Sequence, residues 1–378
     1  MDFELSDDQI ALREAAAALL GGRCSIGRVR EVAAGASHFD DALWNAMADQ
    51  GWLAVERSES EGGLGLGMVE VVVLCEELGR HLAPVPFLGT VLCAGALQRA
   101  VGAGEVSDDA LVGERSVGEW ARRLSSGETI GAIAWSADRA ALSARRDVGG
   151  EWSLAGRSDP VVYGALADLV VVLAETSEGS ALFAMAQDAS IRPGAEPAMD
   201  ITRSLAWLDL DDRPALRLGA AQAADQLLDR AATGASAEML GAAEWALEAT
   251  VSYAKDRVQF GRPIGSFQAV KHRCADMLVD VEGMRSSAYY AGWAVGADDP
   301  EAQSAASAAK VWCSDAAGRV MASALQVHGG IGFTWEHDMH LFLKRSQLDQ
   351  MSFGGAAFHR ERLARTLRRR AEAGLPVL

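Results

Sequence analysis

Arg257-Val258-Gln259-Phe260-Gly261-Arg262-Pro263-Ile264-Gly265-Ser266-Phe267-Gln268 interrupts two long helical patterns, and its reading organises the rest of the chain. Before it, Met239, Leu240, Ala243, Leu247, Thr250, Val251 and Ala254 recur at the spacing of one helix face. After it, Val270, Cys274, Met277, Leu278, Val281, Met284 and Ala288 do the same. A third stripe follows in Ala305, Ala309, Trp312, Ala316 and Val320, beyond the turn Asp298-Asp299-Pro300. Apolar stripes of this width need partner surfaces, so long helices joined by short turns predict an antiparallel bundle. The Met and aromatic residues in the stripes read as packing. Gln268 opens the second helix, where backbone N–H groups lack intrahelical partners and suit an anion.

Working outward, Gln326-Val327-His328-Gly329-Gly330-Ile331-Gly332-Phe333 breaks the third helix with three glycines, where a bare backbone can lie along a ligand. The bland readings of both breaks are a helix C-cap and a tight interhelical turn. The last helix carries the basic run Arg365, Arg368, Arg369, Arg370, expected to be a solvated face. Upstream of Gly219 the pattern changes. Ile130–Trp135, Trp152–Leu154, Leu169–Leu173, Ala181–Met185 and Leu205–Leu210 are short β-rich runs separated by Gly, Asp, Ser and Pro, which predicts a small antiparallel barrel or sandwich. Before Gly127 the chain is helical again. Ser6 and Gln9 have capping-box spacing, and Asp40 or Asp41 caps a helix that stops at Gly51. The glycine-rich turn 61–67 opens a helix from Met68 to Leu78, ending at Gly79, and Phe87–Leu97 is a further buried helix.

The expected fold is therefore mainly α with a β middle domain. The boundaries fall at 1–122 for an N-terminal helical domain, 123–222 for a β-barrel and 223–378 for a C-terminal four-helix bundle. Lys+Arg is 35 against 52 Asp+Glu, a net charge of −17 that repels polyphosphate and argues against nucleic acid as a partner. No segment is long and apolar enough to span a bilayer, and Met1-Asp2-Phe3-Glu4-Leu5 has no basic, signal-like start. The five cysteines are isolated, without C-x-x-C spacing, and there is no clustered Cys/His. Reduced thiols, a cytoplasmic location and no metal are the expectations.

The segment 257–268 resembles the R-x-x-F-G-x-x-I-x-x-x-Q signature of the acyl-CoA dehydrogenase family, and 326–332 resembles its Q-x-x-G-G-x-G signature. Glu61-Gly62-Gly63-Leu64-Gly65 and Glu77-Leu78-Gly79-Arg80 are similar to the family's N-terminal domain. The resemblance implies a flavoprotein that removes the α proton and β hydride of an acyl-CoA thioester, with FAD as hydride acceptor and a carboxylate as base. It implies an oligomer, with the ADP half of a neighbour-held FAD bound by Arg257, Phe260, Gly261, Phe267, Gln268, Gln326, His328, Gly329, Gly330 and Gly332, and with Gly354 and Gly355 as further cofactor-binding residues.

Three departures from the family modify that expectation. The usual base position, in a Tyr-Glu-Gly-Thr segment, falls on Phe353 of Ser352-Phe353-Gly354-Gly355, and a phenyl ring takes no proton. The alternative Glu-Arg base pair is imitated by Asp229-Arg230, but two residues out of register, about 200° around the helix. An exposed helical ion pair or a helix N-terminal charge is the favoured reading of that pair. Third, the flavin-ring loop is replaced by Ala134-Trp135-Ser136-Ala137-Asp138-Arg139-Ala140, and the next flavin segment by Pro160-Val161-Val162-Tyr163. The chain thus resembles the base-lacking partner in α2β2 heterotetramers with one FAD per αβ pair, for which a steroid side-chain thioester is the expected substrate. The alternatives are a self-sufficient homo-oligomer using Asp229 or another acid, and a non-enzymatic acyl-CoA-binding or scaffold member of the fold.

Overall fold

The structure is a computed structural model that describes residues 4–188 and 192–374. Met1–Phe3, where no leader is expected, lie outside the described residues. Helices α1 (Asp7–Arg23), α2 (Ile26–Ala33), α3 (Asp41–Asp49), α4 (Met68–Arg80), α5 (Phe87–Gly102) and α6 (Val117–Ser125) come first. The short strands β1 (Leu111–Val112) and β2 (Arg115–Ser116) precede α6. Then come β3 (Gly131–Ala134), β4 (Leu142–Arg146), β5 (Trp152–Arg157), β6 (Val161–Val162), β7 (Leu169–Thr176), β8 (Gly179–Ala186), β9 (Leu205–Ala206) and β10 (Asp209–Gly219). The chain finishes with α7 (Ala221–Asp256), the hairpin β11 (Val258–Gln259) and β12 (Arg262–Pro263), α8 (Gln268–Gly296), α9 (Ala302–His328), α10 (Met339–Met351) and α11 (Ala356–Glu372). Helical, β, helical is the order read from the sequence.

Two compact units are present: residues 1–30, 68–83 and 232–378, and residues 31–67 and 84–231. In the second unit, β3-β7-β4-β5-β10-β8 form one sheet, and β8 pairs back onto β7 to close it. Leu142, Leu154, Val170, Val172 and Phe183 fill its interior. The expected all-antiparallel barrel is corrected here: β3 runs parallel to β7, and β4 also meets β7 in parallel. The chain between these strands is long enough for the crossover a parallel pair needs. β4, α2 and α6 were not anticipated, although Ser116 caps α6 by accepting from Glu119 N at 3.1 Å, a Ser-x-x-Glu signature visible in the sequence.

In the first unit, the Ser6–Gln9 capping box forms in both directions. Gly79, expected to end α4, lies inside it. A Cβ there would overlap the backbone carbonyl of Glu238, and one at Gly241 would overlap that of Glu76. The two glycines let α4 and α7 cross at backbone contact, so Gly79 is a packing glycine and not a terminator. Beside the crossing, Glu76 is buried, pairs with Arg285 and accepts from Tyr289 Oη at 2.6 Å.

Two residues assigned to core stripes are exposed. Leu278 is 50% exposed, because it follows the buried Met277 by one position, about 100° around α8. Trp312 is 41% exposed and lies over Gly283, whose missing side chain makes room for the indole. Arg365 and Arg368 are exposed as expected, whereas Arg370 pairs with Glu301 and Arg369 donates to Gln303 Oε1 at 3.1 Å. Those two tie the end of α11 to the start of α9. Cys24, Cys75, Cys93 and Cys313 are buried free thiols and Cys274 is half-buried. No described helix is long and apolar enough to cross a membrane.

Candidate functional site

The first motif forms a two-residue hairpin. Val258 pairs with Pro263 and Gln259 with Arg262, leaving Phe260 and Gly261 as the turn. Both have positive φ, 54° and 77°, as a type I′ turn requires. Glycine enters that region freely; a phenylalanine does so at a cost, and such strain collects at functional positions. The Phe260 ring is 91% exposed. It meets Phe267 edge-on at 6.0 Å, and the Arg262 guanidinium lies 4.2 Å over the Phe267 ring. Arg257 is exposed and makes no ion pair among the described residues. Gln268 is exposed and is the first residue of α8, after Phe267, which supplies no side-chain cap. Aromatic faces, two guanidiniums and uncapped N–H groups thus share one short surface segment.

The second motif ends α9. Gln326 is exposed, and His328, the last helical residue, is buried. Gly329 adopts φ 64°, ψ −143°, a conformation that side chains oppose. A Cβ on Gly329 or Gly330 would meet nothing within 4 Å, so both present open backbone, whereas Gly332 is packed against His328 and Leu325. Tyr253, one turn before Arg257 on α7, stacks on His328 with ring centroids 4.5 Å apart. That stack joins the two motifs. His328 Nδ1 lies 2.8 Å from Ala324 O, and burial lowers its pKa, so the ring is neutral with Nδ1–H donating.

Phe353 and Gly354 form the turn between α10 and α11, with φ of 56° and 98°. His359 Nε2 lies 2.8 Å from Phe353 O. A Cβ at Gly354 would collide with the Phe358 ring, and Gly355 is half-buried. No carboxylate occupies position 353.

The second unit contains the other departures. The loop after β3 is closed on itself: Ser136 Oγ donates to Asp159 Oδ1 at 3.1 Å, Ala137 N to Asp159 Oδ2 at 3.0 Å, Asp138 N to Ser136 Oγ at 3.2 Å and Ala140 N to Asp138 Oδ1 at 3.0 Å. The backbone N–H groups of Ala137, Asp138 and Ala140 are thereby taken up by side chains. Tyr163 is fully buried at φ 57°. Asp229 and Arg230 are not the exposed ion pair expected: both are buried, and Arg230 pairs with Glu56, whose loop lies beside this part of α7. Neither Glu56 nor Asp159 was singled out in the sequence, since a lone carboxylate in a loop carries no pattern. Tyr253 was readable only as one more stripe neighbour.

Residues 6–105 match the family described as acyl-CoA dehydrogenase, N-terminal domain, and residues 218–368 match acyl-CoA dehydrogenase, C-terminal domain. Among characterised relatives, the acyl-CoA dehydrogenase IpdE2 of Mycobacterium tuberculosis is 35% identical over 345 residues, covering 90% of this chain and 91% of that protein. Among solved structures, the ChsE4-ChsE5 complex from Mycobacterium tuberculosis aligns with TM-score 0.86 and 32% identity over 97% of this chain and 99% of the matched chain. The Tcur3481-Tcur3483 steroid ACAD aligns with TM-score 0.86 and 28% identity over 97% and 99%. With both terminal domains matched and a relative alike over nine-tenths of its length, this chain belongs to the acyl-CoA dehydrogenase family.

Proposed function

We propose that the chain is the base-lacking subunit of a heteromeric, FAD-dependent acyl-CoA dehydrogenase acting on a bulky, steroid-derived CoA thioester. The observation that carries this reading is the loop Ser136–Ala140, in which the N–H groups of Ala137, Asp138 and Ala140 are bound by the side chains of Asp159, Ser136 and Asp138, while Phe353 stands at the usual base position. One half of a flavin site is retained and the other is closed. Alignment with a two-chain complex and with a steroid dehydrogenase supports both the partner and the substrate class.

The surface from Arg257 to Gln268 together with Gln326 to Gly332 fits the ADP half of FAD. Arg257 pairs with a pyrophosphate oxygen, Phe260 and Phe267 offer ring faces, and Gly329 and Gly330 leave the backbone accessible. When bound, FAD accepts the hydride leaving the β carbon of the thioester. The α proton goes to a carboxylate of the partner subunit, since position 353 here supplies none. Asp229 is set aside because the adjoining Arg230 is committed to Glu56 and the pair sits two positions out of register.

The test is to express the chain alone and with a family member that carries the base. The expected result is colourless or inactive protein alone, and a yellow complex that oxidises acyl-CoA when the two are combined. Yellow, active protein from this chain alone would support a self-sufficient homo-oligomer. Protein that never gains flavin would support a scaffold role.

A further inference from the structure

A cleft of about 880 Å³ lies in the first unit, walled by residues of α1, α8, α9 and α11. Packed interiors close spaces of that size, and ligand sites fall in the range of roughly 300–1,000 Å³. The sequence explains why it stays open. Gly283, Ser286 and Ala308 put small residues on facing stretches of α8 and α9, beside the large Tyr290, Trp312 and Leu363. The Trp312 indole lies down on α8 because Gly283 has no side chain: a Cβ there would come within 2.6 Å of Nε1. No lining residue belongs to the segments 257–268 or 326–332.

The charges are one-sided. Three guanidiniums line the cleft, those of Arg13, Arg285 and Arg360, and no carboxylate does among the described residues, on a chain with 52 Asp+Glu against 35 Lys+Arg. Two of the three are already neutralised. Arg285 pairs with Glu76, with Glu244 at 2.8 Å and with Glu282 at 3.6 Å, and Arg360 pairs with Asp315. Arg13 is half-buried and makes no ion pair among the described residues; its charge acts on Glu77 only at a distance. A guanidinium held in an apolar setting favours a bidentate carboxylate.

We propose that this cleft binds an amphipathic carboxylate, its apolar body against Tyr290, Trp312 and Leu363 and its head on Arg13. One uncommitted guanidinium calls for one negative charge, and the aromatic and aliphatic walls call for an apolar remainder. A second copy of the chain is a poorer occupant. In a twofold contact the same patch faces itself, and this cleft has no carboxylate of its own to offer Arg13. The inference is independent of the flavin reading.

The experiment titrates decanoate and its uncharged counterpart decanol into the full chain by calorimetry, with sedimentation run in parallel. Decanoate should bind at one site per chain. Arg13→Met should weaken decanoate about tenfold and leave decanol within about twofold. Ala308→Trp, a change at an exposed position, fills the cleft and should abolish binding of both. No binding of decanoate by the wild-type chain would overturn the proposal, and so would equal decanoate affinity in the wild type and both variants. Equal loss of decanoate and decanol in Arg13→Met would make Arg13 a packing residue and remove the charge argument on which the ligand class stands. An oligomer that Ala308→Trp splits into smaller species would show the cleft to be the seat of another chain, and would overturn the proposal as well.

Discussion

Tyr253 lies nearly flat on His328, with ring centroids 4.5 Å apart and planes 22° from parallel. Since Nδ1 of His328 is bound to Ala324 O, the imidazole cannot swing away from the phenol ring. Arg257 follows Tyr253 by one helical turn and its N–H donates to Tyr253 O at 2.9 Å. The stack therefore fixes the start of one motif against the end of the other. Tyr253→Ala should weaken FAD binding by about tenfold, and Tyr253→Phe should leave it unchanged, because the face and not the hydroxyl is used. A fluorescence titration of both variants checks this.

Phe353→Glu restores a carboxylate to the family's usual base position. It should not confer dehydrogenation on the chain alone, because the Ser136–Ala140 loop stays closed on Asp159. A base without a positioned hydride acceptor gives at most exchange of the α proton. Turnover of an acyl-CoA by the purified variant would show that the flavin-ring half of this chain is open after all.

Gly79→Ala places a methyl group where α4 meets the Glu238 carbonyl of α7. Relieving the overlap requires the two helices to separate, at a cost of about 1–3 kcal/mol. Chemical denaturation should register the loss, whereas Gly62→Ala, whose added Cβ meets nothing but whose φ is 84°, should cost only the smaller left-handed backbone penalty.

Glu77 sits on α4 beside this crossing with Oε2 lacking a hydrogen-bond partner. Burial, then the neighbouring Glu76 charge, raises its pKa to about 7. The folded state thus holds a proton that the unfolded state has released. Stability from this group is full below about pH 4.5 and is lost as pH rises through 7. Glu77→Gln should be more stable than wild type at pH 8, by on the order of 1 kcal/mol, with the difference vanishing near pH 5. Parallel melts at the two pH values read it directly.

Legibility in the sequence differs by scale. The helical stripes around Met239 and Met277 announced the bundle because burial imposes a period on every turn. The strand directions were not legible: β3 and β7 pair in parallel through a connection whose path no local pattern records. Gly79 was misread for a related reason, since a glycine that ends a helix and one that admits a neighbour look alike without the neighbour. In the site, Arg257, Phe260 and the glycines 329–332 stood out by motif. Tyr253 and Asp159 meet partners far away in sequence, so only the folded chain brings them into view.

In the proposed assembly each pair of subunits shares one flavin, with this chain contributing the ADP clamp and none of the base. The most direct measurement is the FAD content of the complex purified with a base-bearing subunit, taken together with the effect of removing each chain's candidate acid. The account predicts one FAD per pair of chains, loss of turnover when the partner's base carboxylate is replaced by its amide, and turnover retained in Asp229→Asn of this chain. Two FAD per pair, with activity abolished by Asp229→Asn, would contradict it.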